Sequence, residues 1–102
     1  MVGVLQTKRD EIAAACARYG VARLEAFGSA LRDDFRPEES DLDLLVDFAP
    51  MDPYARVDAY FGLLGELRLL LQGKIDLVMA GAVKNPYIAR SIERTKQLLY
   101  AA

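Results

Sequence analysis

The sequence predicts an α/β fold in which a small mixed β-sheet is packed with helices. Three observations point there. Short stretches that alternate apolar and polar residues are separated by longer stretches with helical spacing. Glycine or proline stands near most changes of pattern. No internal repeat, low-complexity tract or Gly/Ser-rich linker divides the 102 residues, so one domain is expected over 1–102.

The elements follow in order. Leu5 to Tyr19 reads as a helix: Leu5, Ile12, Cys16 and Tyr19 fall close to one stripe, Ala13 to Ala15 favour helix, and Gly20 stops it. Val21 to Phe27 alternates as a short strand, interrupted by Gly28-Ser29, and Ala30 to Phe35 suits a short helix or turn before the polar loop Arg36 to Glu39. Ser40 to Phe48 is the clearest strand, with Leu42, Leu44, Val46 and Phe48 on one face and Asp41, Asp43, Leu45 and Asp47 on the other. Tyr54 to Gln72 has helical spacing through Val57, Phe61, Leu64, Leu67 or Arg68, and Leu71. Gly62 and Gly65 inside it suggest a kink or a close approach. Gly73 breaks the helix, and Lys74 to Met79 is a third strand. Asn85-Pro86 is an N-cap and N1 pair, opening a final helix striped by Ile88, Ile92, Thr95 and Leu99. Three strands are expected in all.

Composition narrows the chemistry. With no histidine, a Ser-His-Asp triad, a histidine general base and histidine-ligated zinc are excluded within the chain. The single cysteine, Cys16, permits neither an internal disulfide nor a cysteine metal cage. No apolar run reaches the roughly 18 residues of a membrane span and none near Met1 resembles a signal peptide, so a cytoplasmic location with no membrane contact is expected. The net charge of −2 conceals a gradient. Residues 37–58 hold seven acids against one base, Arg56, while residues 59–102 hold six bases against three acids. An acidic block of this kind is unlike the basic face of a nucleic-acid binder, and no direct nucleic-acid binding is expected.

The acids have positions that suit chemistry. Asp41 and Asp43, two apart on one strand, project their carboxylates from the same face, about 6.5–7 Å apart at the backbone. Two such charges repel unless a cation lies between them, and a hard cation such as Mg²⁺ takes one or two carboxylates plus substrate phosphates. An exposed edge strand with solvated acids has the same pattern. Asp76, between Ile75 and Leu77, offers a third carboxylate on another strand. Three such groups on neighbouring strands suit a two-metal site. Gly28-Ser29 ends the first strand, where glycine admits a phosphate to the backbone and serine donates to it; a plain turn with Ser29 as N-cap fits the same residues.

Together, Gly28-Ser29, eleven intervening residues, Asp41-Leu42-Asp43 and the later Asp76 form a far more specific pattern. The sequence here resembles the minimal nucleotidyltransferase (MNT) family of the DNA polymerase β-like nucleotidyltransferase superfamily. Phe27-Gly28-Ser29-Ala30-Leu31-Arg32 looks like its glycine-serine motif, Ser40-Asp41-Leu42-Asp43-Leu44-Leu45-Val46 is similar to its Ser-Asp-x-Asp strand, and Ile75-Asp76-Leu77-Val78 looks like its third-aspartate strand. Asn85-Pro86-Tyr87, opening the last helix, is also family-like. The resemblance covers about Arg18 to Tyr100. One position departs from it: Asp33 stands where members usually have glycine.

The resemblance implies the superfamily's nucleotidyltransferase core and a role for each residue. Gly28 and Ser29 would hold the β- and γ-phosphates of ATP, Asp41 and Asp43 both Mg²⁺ ions, and Asp76 one metal together with the proton of the attacking hydroxyl. It implies an antitoxin that transfers AMP from ATP to a tyrosine of a HEPN-domain ribonuclease toxin. Since the seven elements use the whole chain, the acceptor hydroxyl is expected on another molecule. The terminal helix and the aromatics Tyr54, Tyr60 and Phe61 are candidates for a contact face, though the same aromatics suit a core. Two other readings are a non-catalytic module that neutralises its partner by docking alone, and a nucleotidyltransferase acting on a small molecule.

Overall fold

The structure, a computed structural model, describes residues 3–28 and 41–102. The expected short helix at Ala30 to Phe35, the polar loop, Ser29, Asp33 and Ser40 lie outside the described residues. In chain order the elements are α1 (Gly3–Thr7), α2 (Arg9–Arg18), β1 (Val21–Ala26), β2 (Leu42–Phe48), α3 (Pro53–Leu71), β3 (Ile75–Met79), a 3-10 turn at Ala80–Ala82, α4 (Pro86–Thr95) and β4 (Gln97–Ala101). The sheet has the order β3-β2-β1-β4. β1 runs antiparallel to both β2 and β4, while β2 and β3 are parallel and joined through α3. The sheet is therefore mixed, as expected. Among the described residues, no helix is long and apolar enough to cross a membrane.

Alternation in the strands sorts their side chains between two faces. Leu24 and Ala26 of β1, Leu42, Leu44 and Val46 of β2, and Ile75 and Leu77 of β3 are buried in one cluster with Ile12, Ala15 and Cys16 of α2 and Leu63, Leu64, Leu67 and Leu71 of α3. α2 and α3 thus cover one face. Phe27 and, on α4, Ile92 are also buried but stand outside that cluster. α4 begins as the sequence predicts: the Asn85 side chain accepts from the amides of Tyr87 and Ile88, with Pro86 at N1. α3 is capped likewise by Asp52, which accepts from the Tyr54 and Ala55 amides, with Pro53 at N1.

Four expectations are corrected. The first helix is two, broken at Lys8. Every residue between the buried Leu5 and Ile12 is polar, so no side chain anchors that turn in the core. The last helix stops at Thr95, and Leu99 lies on a fourth strand. Backbone groups on the β1 edge not used by β2 need a partner, and Gln97–Ala101 supplies it. α3 ends at Leu71, one residue short of the expected Gln72, which caps the helix in the left-handed conformation (φ 51°) just before Gly73. Finally, the buried face of α3 is rotated: Ala59, Leu63, Leu64, Leu67 and Leu71 point inward, whereas Val57 is 51% and Phe61 64% exposed.

The two α3 glycines differ. A Cβ on Gly62 would lie 2.9 Å from Cζ of Tyr19, so α2 and α3 meet there at a distance only glycine permits. The same junction holds an Arg18–Glu66 ion pair and a hydrogen bond from the Tyr19 hydroxyl to Glu66 (3.5 Å). A Cβ on Gly65 meets nothing within 4 Å. Alanine in place of a helical glycine ordinarily stabilises by about 1 kcal/mol. Gly62→Ala is expected to do the opposite and lower unfolding stability by roughly 1–3 kcal/mol through overpacking, measured by urea denaturation.

Candidate functional site

The site is set by one register. In the parallel β2–β3 pair, Asp43 lies opposite Asp76, between the buried pairs Leu42–Ile75 and Leu44–Leu77. Parallel neighbours sit about 4.8 Å apart and point to the same side, so the two carboxylates rise together from the face that α4 flanks. The apolar neighbours hold them there. Leu42 N donates to Lys74 O (2.9 Å), and the Tyr60 hydroxyl donates to Leu77 O (2.5 Å), tying α3 to the edge strand.

β1 brings the third component. Phe27 N donates to Asp43 O (3.1 Å), which continues the ladder one residue past β1. The chain then turns at Gly28, whose φ of +62° is the left-handed conformation that glycine adopts without cost. A Cβ on Gly28 would lie 2.9 Å from Oδ2 of Asp43. The glycine is therefore required twice, for its backbone conformation and for the space beside the carboxylate.

Gly28, Asp43 and Asp76 line one cleft of about 480 Å³, a size suited to a small-molecule ligand. Val78, Val83 and Ile88 give it apolar wall, and Lys84 adds a cation. Of the remaining expected residues, Asp41 is exposed just before β2 and does not line the cleft, while Ser29 lies outside the described residues. Among the described residues, no three carboxylates, histidines or cysteines converge into a ready-made metal cage. Cys16 is fully buried, and that burial pushes its thiol up to about 12, so it is a packing residue and no nucleophile.

Two residues of the site escape sequence reasoning. Lys84 makes no ion pair among the described residues and lines the same cleft as the two acids. Its neighbour Asn85 signals a helix start, but nothing local signals that this start borders the aspartates. Thr95 accepts a hydrogen bond from Gly28 N (3.0 Å) and donates to Ser91 O (2.7 Å). It ties the glycine turn to the end of α4. The Gly28 amide is thereby occupied, so glycine contributes shape here rather than a donor.

Comparisons with known proteins agree with this geometry. The family described as "Nucleotidyltransferase domain" matches residues 9–99. A Methanocaldococcus jannaschii protein named for protein adenylyltransferase activity is 42% identical over 83 residues, 81% of this chain and 79% of its own length. A solved structure described as a minimal nucleotidyltransferase superposes with a TM-score of 0.74 at 31% identity, covering 91% of this chain and 90% of that one. A chain in the complex of a tri-AMPylated Shewanella oneidensis HEPN toxin with MNT antitoxin has the same fold, with a TM-score of 0.63 at 20% identity over 96% of this chain and 73% of that one. With the Gly28 turn set against Asp43 and Asp76 beside it, the chain belongs to the nucleotidyltransferase domain family, among its minimal members.

Proposed function

We propose that the chain is a protein adenylyltransferase, transferring AMP from ATP to a tyrosine hydroxyl of a HEPN-domain ribonuclease toxin and so acting as its antitoxin. The observation that carries this reading is the cleft itself, with a glycine turn held against one carboxylate and a second carboxylate on the adjacent strand. The choice of AMP and of a protein acceptor follows the Methanocaldococcus relative's name. The choice of a HEPN partner follows the Shewanella complex.

The residues suit a divalent cation. All the donors are oxygens, and Gly28 has no Cβ to crowd Oδ2 of Asp43. A hard cation that takes one or two carboxylates and completes its shell with phosphate and water needs no larger protein cage. Asp43 and Asp76 in the cleft would hold Mg²⁺, with Asp41, which lies outside the cleft lining two residues before Asp43, joining them only on a change of its side-chain position; two ions so held would offset charge on the attacking and leaving oxygens. The protein's own groups do the rest. Ser29 and Lys84 contact the β- and γ-phosphates, and the apolar wall at Val78, Val83 and Ile88 receives the nucleoside. Asp76 takes the proton of the acceptor hydroxyl. The tyrosine oxygen then bonds to the α-phosphorus as the bond from that phosphorus to the bridging oxygen breaks, and pyrophosphate leaves with the electron pair.

Each group has a separate test. Calorimetry with Mg²⁺ and ATP should show binding that Asp43→Asn largely removes; equal binding by the variant would discard the metal assignment. Gly28→Ala forces a Cβ onto the Asp43 carboxylate and should weaken ATP binding more than it weakens folding, as read by calorimetry beside thermal melts. Asp76→Asn keeps the side chain's shape and removes its charge, so labelling of the partner with AMP from ATP should fall roughly a hundredfold or more, about 2.7 kcal/mol of transition-state stabilisation. Partner binding, measured in parallel, should persist. Neutralisation of the toxin by a wild-type protein that transfers no AMP would leave a docking module in place of an enzyme.

A further inference from the structure

The outward face of α3 is exposed, and its Phe61 ring meets the ring of the neighbouring Tyr60 edge to face, with centroids 5.1 Å apart. Tyr54 is 83% exposed, Val57 51%, Phe61 64% and Leu69 79%, and with Gly65 they follow helical spacing. Tyr60 turns away from this stripe to bond Leu77 O. Of the three aromatics that were candidates for a contact face or for the core, Tyr54 and Phe61 are exposed and Tyr60 is partly buried. This face points away from the sheet, whereas the cleft opens on the sheet's other side. An acceptor presenting its hydroxyl to Asp43 and Asp76 would not meet it there.

What covers it is indicated by a symmetry within the helix. About Leu63, Phe61 and Gly65 lie two residues to either side, Asp58 and Arg68 five, and Val57 and Leu69 six. Asp58 and Arg68 stand about 40° to either side of the centre of the exposed face. Neither side chain makes a hydrogen bond or ion pair among the described residues. Two such helices packed antiparallel about a two-fold axis at Leu63 bring the acid of each beside the base of the other, at the same level along the axis. The same operation lays each Phe61 across the other copy's Gly65, where a Cβ would meet nothing and a ring has room.

We propose that this face is the interface of a homodimer, with α3 packed antiparallel to α3 of a second copy. Phe61 in the gap at Gly65 forms the apolar centre, and two Asp58–Arg68 pairs flank it. Two facing stripes remove roughly 1,000 Å² from water, the lower end for a specific interface, so a reversible dimer results. The dimer leaves both clefts open on its outer sides.

Sedimentation of the full-length chain over a range of concentrations tests this. Wild type should shift from monomer to dimer, and Phe61→Asp should remain monomeric with unchanged circular dichroism. Asp58→Arg and Arg68→Asp should each weaken dimerisation roughly tenfold by placing like charges together twice across the axis. The double reversal should restore it. Failure of the double variant to recover would overturn the antiparallel pairing. So would a wild-type monomer at every concentration, or a monomer whose Phe61→Asp variant loses capture of the HEPN partner, which would assign the face to that partner.

Discussion

Parallel pairing of β2 with β3 in one register places Asp43 beside Asp76, and nearly everything else in the molecule is arranged to hold that register. A slip of one residue would turn Asp76 into the core and expose Ile75 and Leu77. The buried set Leu42, Leu44, Val46, Ile75 and Leu77, pressed against α3, makes the slip costly, because each aliphatic side chain moved into water forfeits about 1.5–3 kcal/mol. The carboxylates contribute nothing attractive to each other. Their closeness is imposed by apolar packing on the opposite face of the same strands. Core stability and site geometry are therefore one quantity, seen from the two sides of one sheet.

How far this was legible in the sequence depends on the range of the interaction involved. The faces of β2 could be read residue by residue, since Leu42, Leu44 and Val46 alternate with Asp41, Asp43 and Leu45, and burial follows that alternation. The N-terminal cap of α4 was legible too, because the Asn85 side chain acts on amides two and three residues away. Gly28 could be singled out as a turn, but its contact with Oδ2 of Asp43 depends on how β1 pairs with β2, which no local signal encodes. α3 was misread for a related reason. Its apolar residues surround the helix, so Val57 and Phe61 fit an inward stripe as well as Leu63 and Leu67 do, and only the docked sheet decides which face is buried.

The misreading of β4 hid more than a strand. Leu99 follows Thr95 at a helical interval, so in the sequence the stripe through Ile88 and Ile92 runs on. Ending the helix at Thr95 and extending the chain from Lys96 pairs Gln97 with Ala26 across the β1–β4 ladder. Gly28 lies two residues after Ala26, and Thr95 two residues before Gln97. An antiparallel pair carries two such positions toward each other, and there the Gly28 amide reaches the Thr95 hydroxyl.

The edge strand thus has two consequences from one set of hydrogen bonds. It occupies the side of β1 that β2 leaves open, and it fixes where α4 ends. Because the Thr95 hydroxyl is also bonded to Ser91 O, the glycine turn is referenced to the helix whose Ile88 and Ser91 border the cleft. Asp43 and Asp76 belong to the other end of the sheet order, on β2 and β3. The cleft is therefore assembled from two sources: carboxylates positioned by the β2–β3 register, and a glycine turn positioned by β1 and β4. A change in the first ladder would alter the pairing of Asp43 with Asp76, and a change in the second the placing of the Gly28 turn, even with every side chain of the site intact.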